Sequence, residues 1–351
     1  MTLPTQYASQ KQQMTTNNAP SLLLALPEDV QRRLLAGCRY EDLFSLAAAC
    51  RALRDVVNDP KFQRVRQSHG FVESGVVLVG TRRDNAVDIR SARMRAVKVS
   101  ITGGLQLNGD TTTDGRRLFV SCNNVVSDDQ VFVYALDVIS RQWSRFATLP
   151  FNRAMSCMQW HAGRLYVAGG VDFRFRQSFR VYNEATRSWD ALPDLPFGCC
   201  GASSGVIGDQ LLIAGGDGTY TTLQIFDFTT GSWRVGPPLP QGRDSSSGVV
   251  VEDKLFVPEN SSMLIYDPRS DAWTLERLPF YGIWECACVH NGRIIAFLHN
   301  GSAYERAPGG AWSAYKYDRA HARDALELPA DFNSLGIVGW GATSVESILL
   351  G

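Results

Sequence analysis

The sequence predicts a small helical segment followed by an all-β propeller with five Trp-marked repeats and six blades. One observation is that a Trp is followed within seven residues by Leu-Pro and then by an apolar strand, four times between residues 143 and 280. Successive Trp residues are 39 to 46 positions apart, and such a period with strand-like content is typical of a propeller or a solenoid. A separate helical pattern precedes the repeats in residues 21–66. The copies are Trp143 with Leu149-Pro150, Trp189 with Leu195-Pro196, Trp233 with Leu239-Pro240 and Trp273 with Leu278-Pro279, with a fainter fifth at Trp312.

Residues 21–66 are predicted to form helices. Pro27 and the acidic pair after it are typical of a first helical turn, and Val30 and Leu34 then lie on one face until Gly37. A second stripe has apolar residues at 3- and 4-residue steps, at Leu43, Leu46, Cys50, Leu53 and Val57. A helical unit this short buries little apolar surface by itself, so we expect it to pack against the rest of the chain or a partner.

The repeats align without gaps from each Pro to the next strand. Fifteen residues separate the Pro from the first apolar residue of that strand, and a strand with Tyr or Phe follows. Gly169-Gly170 and Gly215-Gly216 end two of these strands and allow close approach of backbone from a neighbouring blade. The aligned pairs are Pro150 and Leu165, Pro196 and Leu211, Pro240 and Leu255, and Pro279 and Ile294. An earlier unit has the strand 117–122, Tyr134 and Trp143.

The sixth blade is predicted to combine both ends of the repeat region. Residues 75–80 offer a strand before the repeats, and residues 335–349 offer one after them. Joining these strands removes the exposed sheet edges that promote aggregation.

Composition argues against several classes of function. The chain has 351 residues, 44% of them apolar, and zero formal net charge, so no overall field favours nucleic acid or membrane. No run of 18 apolar residues suggests a membrane-spanning helix, and the Gln/Thr/Asn-rich residues 1–20 are interpreted as a disordered leader. The eight cysteines form no CxxC pair and are expected to be reduced thiols of a cytoplasmic or nuclear protein.

Catalytic and metal-binding patterns are absent from the sequence. None of the five His residues stands in a recognisable Ser/His/Asp or Cys/His arrangement, and no glycine loop precedes a helix to hold phosphate. Cys286 and Cys288 share a strand face without partners at zinc-like spacing. We therefore expect no catalysis, cofactor or metal. The basic segment 82–98 is interpreted as a solvated loop, with an acidic patch of a target or nucleic acid as the alternatives.

Two stretches of the sequence resemble known families. Residues 22–66 resemble an F-box in Leu26-Pro27, the Leu34-Leu35 helix, Asp42-Leu43, Cys50-Arg51 and the closing Asp59-Pro60, but have Ala52-Leu53 where an F-box often has Trp. The repeats resemble kelch repeats in their glycine pair, aromatic and spaced Trp. This order of modules is similar to that of plant F-box/kelch-repeat proteins. It implies a leader at 1–20, an F-box at 21–66 and a kelch propeller at 67–351.

The resemblance implies a non-catalytic substrate receptor of an SCF-type ubiquitin ligase. Its F-box would bind a Skp-type adaptor and, through it, a cullin, while the propeller would hold a target protein for ubiquitination and proteasomal degradation. The alternative function is a propeller scaffold without a ligase role. The adaptor contacts implied by position are Leu26, Pro27, Val30, Leu34 and Leu43. The alternative is that Val30, Leu34 and Leu46 only close the core of the helical module.

Target contacts are expected where the chain enters each blade. The third residue after the Pro is Arg153, Cys199, Arg243 or Gly282 in successive repeats. Two arginines at matched positions offer forks for carboxylates, and aromatic residues are enriched among interface hot spots. The predicted target-binding residues are Arg153, Arg243, Tyr281 and Trp284. The alternative is that the arginines pair with acidic residues between blades and that Trp284 fills a gap between sheets.

Overall fold

The structure is a computed structural model, and it separates the chain into two compact units. One unit comprises Met1–Glu73 with Leu349–Gly351, and the other comprises Ser74–Ile348. The structure describes residues 27–36, 56, 75–81, 87–91, 98–101, 105–114, 117–124, 130–137, 142–150, 155–171, 176–243, 248–290, 292–298, 300, 302–315 and 341–345.

In the first unit the structure describes one helix, α1 (Glu28–Ala36). The N–H groups of Val30 and Gln31 donate to the carbonyl of Pro27, which places the first turn where the sequence predicted it. Leu35 is buried, whereas the neighbouring Leu34 has more than half of its surface exposed. Val56 is helical and buried, but the predicted leader and the other residues of the second helix and of the F-box lie outside the described residues, so this part of the fold stays a prediction.

The second unit is an all-β propeller. Five four-stranded antiparallel sheets follow one another along the chain, each formed from contiguous sequence. Their strands are β4 (Leu105–Thr113), β5 (Arg117–Asn124), β6 (Val131–Asp137) and β7 (Gln142–Thr148); β8 (Cys157–His161), β9 (Arg164–Ala168), β10 (Phe179–Asn183) and β11 (Ser188–Leu192); β12 (Ser203–Ile207), β13 (Gln210–Ala214), β14 (Leu223–Asp227) and β15 (Ser232–Val235); β16 (Val249–Val251), β17 (Lys254–Glu259), β18 (Ser262–Asp267) and β19 (Ala272–Arg277); and β20 (Trp284–His290), β21 (Arg293–Leu298), β22 (Ala303–Arg306) and β23 (Trp312–Ala314).

A sixth four-stranded sheet combines both ends of the propeller. It contains β1 (Gly75–Thr81), β2 (Val87–Ser91), β3 (Lys98–Ile101) and β24 (Gly341–Val345), in the order β24-β1-β2-β3. Gly75 pairs with Val345 and Val79 with Gly341, which confirms the predicted composite sheet. The first strands of neighbouring blades contact one another in the series β4, β8, β12, β16, β20 and β24, and β24 also contacts β4.

The repeated Trp and Leu-Pro residues hold neighbouring blades together. The Leu is buried in the first three copies, at Leu149, Leu195 and Leu239. Trp233 lies 5.1 Å from Phe226, ring centroid to centroid, and its indole N–H donates to the Pro193 carbonyl of the preceding repeat at 2.8 Å. Equivalent bonds run from Trp189 to Thr148 at 2.7 Å and from Trp273 to Pro237 at 2.9 Å. The repeat motif is therefore a packing motif.

The glycine pairs have the conformation and crowding that the sequence predicted. Gly169 and Gly215 have φ angles of 67° and 70°, in the left-handed region where glycine is favoured. A Cβ on Gly169 would lie 2.5 Å from the Cys199 carbonyl oxygen, and one on Gly215 would lie 2.6 Å from that of Arg243. Glycine therefore lets each strand end contact the connection that enters the next blade.

Candidate functional site

Two sets of loops meet at one end of the propeller. In three blades a connection from the second to the third strand accepts a hydrogen bond from the connection that enters the next blade. The donors are the N–H groups three residues after the repeat Pro, and we call this surface the connection face. The bonds run from Cys199 to the Arg176 carbonyl at 3.2 Å, from Arg243 to Tyr220 at 2.8 Å and from Gly282 to Asn260 at 3.0 Å.

The guanidinium of Arg243 is directed into the protein. Only 2% of its side chain is exposed, and its Nη1 lies 2.5 Å from Oε2 of Glu259 in the next blade. Its Nη2 donates to Ser262 Oγ at 3.0 Å and to Gln241 Oε1 at 3.3 Å. The structure therefore places the Arg243 fork against an acidic partner, as in the alternative, and not at the surface, with Glu259 in the blade that the Arg243 connection enters.

Trp284 is also buried and is bonded to Glu259. It is 9% exposed, and its indole N–H donates to the Glu259 carbonyl at 3.2 Å. Its ring packs 6.1 Å from Phe280 and from Trp312, centroid to centroid. Trp284 thus fills the gap between two blades, which again matches the alternative.

Tyr281 is the predicted target-binding residue that the structure places on the surface, with 74% of it exposed. Arg153 lies outside the described residues, and its predicted role stays a prediction.

The junction around Glu259 differs from the two junctions before it. Glu259 and Asn260 stand in the repeat where Gly215 and Gly216 stand in the preceding one, and the glycine is instead Gly282, at the position of Arg243. A Cβ on Gly282 would lie 2.7 Å from Leu298 Cδ1. The strand end therefore carries a carboxylate and an amide at the connection face where the earlier repeats carry only backbone.

A second carboxylate lies on the connection face at Asp217. Its Oδ2 accepts a hydrogen bond from Arg176 Nη2 at 2.6 Å, and its Oδ1 accepts one from the Tyr220 hydroxyl at 2.9 Å. The hydrogen bond from Arg176 and then that from Tyr220 lower the pKa of Asp217, so the carboxylate is ionised at neutral pH. Arg176 also donates to the Cys200 sulfur at 3.1 Å.

Large apolar side chains are exposed beside these carboxylates. Phe197 and Tyr220 are half-exposed, and Tyr281 and Ile283 are more exposed still. We call these four residues the apolar arc. Backbone contacts link its parts, since the Tyr220 carbonyl accepts from the same Arg243 whose side chain reaches Glu259. Exposed aromatic and aliphatic groups around polar ones are typical of a protein-binding surface.

The sequence pattern predicts Tyr281 as a contact but not Phe197, Tyr220 or Ile283, which are also exposed. Phe197 and Phe280 occupy the same repeat position, directly after the Pro, yet Phe280 stacks 3.9 Å from Tyr304 and lies half-buried. Repeat position therefore predicts register but does not distinguish an exposed Phe from a packed one.

The predicted adaptor contacts are only partly described. In α1, Leu34 and the preceding Pro27 are exposed and Val30 is half-buried, whereas Leu26 and Leu43 lie outside the described residues. The exposure of Leu34 leaves apolar surface accessible on this helix, and the adaptor role of all five residues stays a prediction.

Cys122 is buried and His161 is stacked against an aromatic ring. Burial raises the pKa of Cys122 to about 12, so its thiol is protonated and a poor nucleophile. His161 stacks on Phe228 with ring centroids 4.2 Å apart. Among the residues that the structure describes, no three His, Cys, Asp or Glu side chains are grouped to hold a metal ion. Nor is any helix in those ranges long and apolar enough to span a membrane.

Comparison with known proteins identifies the repeats. The kelch motif matches twice, at residues 153–196 and 198–240. An F-box/kelch-repeat protein of Arabidopsis thaliana is 26% identical over 213 residues, which cover 57% of this chain and 56% of that protein. A second one is 22% identical over 184 residues, covering 50% and 48%. Residues 153–240 therefore contain two kelch motifs, and the chain is similar to plant F-box/kelch-repeat proteins.

All of these matches cover only part of each protein. The chain spans about half the length of the plant relatives. Kelch-like protein 15 of Homo sapiens is 31% identical over 87 residues, which are 22% of this chain and 14% of that protein. The family resemblance predicted from the sequence is confirmed.

Proposed function

We propose that the protein is the substrate-recognition subunit of an SCF-type ubiquitin ligase. Residues 21–66 bind a Skp-type adaptor and through it a cullin, and the propeller binds a target protein for ubiquitination and proteasomal degradation. The observation that carries the proposal is the kelch motif in a chain whose relatives are named F-box/kelch-repeat proteins. Such a complex works in the cytoplasm, the nucleus or both.

The receptor forms no bond to ubiquitin itself. Its contribution is to hold the target close to a charged conjugating enzyme, which raises the effective concentration of the reacting groups. This role requires two binding surfaces on one chain and no cofactor.

The adaptor surface is proposed to include Leu26, Pro27, Val30, Leu34 and Leu43. Exposed apolar side chains on a short helix are suited to a partner because water contact with them is unfavourable. Leu34 meets this condition, since it is exposed on α1 while Leu35 is buried.

The target surface is proposed to be the connection face. Tyr281 and the other residues of the apolar arc supply exposed anchor side chains. Arg243 and Trp284 then act indirectly, because their bonds to Glu259 hold the loops that carry the arc. Arg153 remains a proposed direct contact.

Proximity labelling in cells with proteasome inhibition tests this proposal. We expect the full chain to label adaptor, cullin and target proteins, and a chain without residues 21–66 to keep the targets and lose the adaptor. The Tyr281→Ala/Ile283→Ser variant should keep the adaptor and lose the targets. Labelling of the same targets by that variant, or no adaptor with the full chain, would contradict the proposal, and the second result would favour a scaffold.

A further inference from the structure

In the two ion pairs that the structure describes on the connection face, the arginine is more buried than the carboxylate. Arg243 is 2% exposed while its partner Glu259 is 36% exposed. Arg176 is 26% exposed while its partner Asp217 is 56% exposed. At these two pairs a molecule approaching the face meets the carboxylate oxygens before the guanidinium groups.

Asp217 is a fixed anionic group. Arg176 and Tyr220 hold its two oxygens at 2.6 and 2.9 Å, so its orientation is set before any partner binds. The Cys200 thiol also donates to Oδ2, at 3.8 Å, so three of the four lone-pair sites of the carboxylate are used and one is left for a further donor. Preorganisation reduces the entropy lost when that donor binds.

Two residues of the apolar arc lie close to this carboxylate, and the other two lie at the junction that contains Glu259. Tyr220 belongs to the same loop as Asp217. Gly198, next to Phe197, has its carbonyl oxygen 3.5 Å from where a Cβ of Gly218 would lie, which places Phe197 close to that loop. Tyr281 and Ile283 flank Gly282, which is bonded to Asn260 in the adjoining blade.

We infer that the connection face binds a segment in which a Lys or Arg is next to an aromatic or aliphatic anchor, with Asp217 receiving the cation and the apolar arc receiving the anchor. The inference rests on the proposed function, since the segment belongs to the target protein. Charge complementarity favours it, because like charges placed opposite each other weaken association and opposite charges strengthen it.

An acidic segment is disfavoured on the described part of this face. It would need a guanidinium with free donors at the surface, yet Arg243 is buried against Glu259 and Arg176 is engaged by Asp217 and Cys200. A purely apolar segment would cover the ionised Asp217 without replacing its water, which is unfavourable.

Fluorescence anisotropy with three labelled peptide pools tests the inference on the full-length protein. The first pool places Lys or Arg beside Trp, Tyr or Leu; the second replaces the basic residues with Asp or Glu; the third keeps the basic residues and replaces the anchors with Ser. We expect the first pool to bind most tightly, and its affinity to fall as salt rises from 50 to 500 mM.

Two substitutions test whether Asp217 binds the Lys or Arg of the peptide. Asp217→Asn is expected to weaken binding of the first pool about 5-fold, the upper end for a partly exposed ion pair. Asp253→Asn is the matched control, because Asp253 is a similarly exposed carboxylate paired with Arg269 in the hairpin turn between β16 and β17, at the opposite end of β17 from Glu259. It should leave the affinity unchanged.

Tighter binding of the acidic pool, equal loss in both variants, or no binding of any pool at millimolar peptide would overturn the inference. The proposed function is tested separately, since proximity labelling requires only that some target depend on the apolar arc.

Discussion

The buried guanidinium of Arg243 lies 2.5 Å from the carboxylate of Glu259, which is one-third exposed and belongs to the blade that the Arg243 connection enters. The two partners therefore differ in their access to water. Removing either one breaks the same ion pair but leaves different groups behind.

Glu259→Ala is expected to destabilise the propeller more than Arg243→Met. The first variant leaves a buried cation without its partner, which we expect to cost about 3 kcal/mol. The second leaves a carboxylate that water can reach and fills the volume of the arginine stem, so we expect about 1 kcal/mol. Urea unfolding of both variants measures the difference. Equal losses, or a larger loss for Arg243→Met, would show that the pair is not organised in this way.

Gly215→Ala is expected to destabilise the protein more than Gly163→Ala. Both glycines have positive φ, 70° and 78°, so the backbone strain of an alanine is similar at the two positions. The new Cβ would lie 2.6 Å from the Arg243 carbonyl oxygen in the first case and meet nothing within 4 Å in the second. We expect about 1 kcal/mol for Gly163→Ala and at least about 2 kcal/mol more for Gly215→Ala. Thermal or urea unfolding measures the stability loss of each variant. Similar losses in the two variants would contradict the close approach of Gly215 to the Arg243 carbonyl.

Met155→Gly is expected to stabilise the protein. Met155 has φ 57°, and the equivalent residue of the next repeat is Gly201 with φ 61°. Glycine relieves about 1 to 2 kcal/mol of left-handed strain and loses part of this to chain entropy, which leaves a gain of about 0.5 kcal/mol. The control is Ser188→Gly in β11, outside the residues with positive φ, where we expect a loss. A loss of stability in Met155→Gly would mean that the Met side chain contributes more by packing.

Cys122→Ala is expected to flatten the decline of stability in alkali. The pKa of Cys122 is raised by burial from 9.0 to about 12, so the unfolded chain loses this proton first as pH rises. The contribution of the protonated Cys122 thiol to the free energy of unfolding is therefore complete below pH 9. It declines between pH 9 and about 12, by about 1.4 kcal/mol per pH unit. Urea unfolding at pH 8 and pH 10.5 measures the slope for wild type, Cys122→Ala and the control Ser121→Ala. Identical slopes in all three proteins would contradict the burial of this thiol.

The parts of the fold that the sequence predicted are those that depend on local pattern. The Trp and Leu positions that Trp233 and Leu239 represent recur at a similar spacing, because each blade must present the same ring and the same buried leucine to its neighbour. The composite sheet followed from the need to close the sheet edges, and the pairing of Gly75 with Val345 bears this out.

The binding residues were harder to predict because their environment depends on the neighbouring blade. The alignment placed Arg243 at the entry to its blade, but Glu259, which holds it, stands where the earlier repeats have glycine. The residue type of Trp284 predicts a contact residue, whereas its burial between Phe280 and Trp312 depends on packing between blades.

Reconstitution of the full-length chain with a purified Skp-type adaptor tests the central claim most directly. We expect a stoichiometric complex on size-exclusion chromatography with wild-type protein, and loss of that complex with Leu34→Asp, while the exposed control Leu275→Asp on β19 still forms it. Absence of a complex with wild-type protein, or a complex that Leu34→Asp and Leu26→Ala/Pro27→Ala leave intact, would contradict the proposed role as a ubiquitin-ligase receptor.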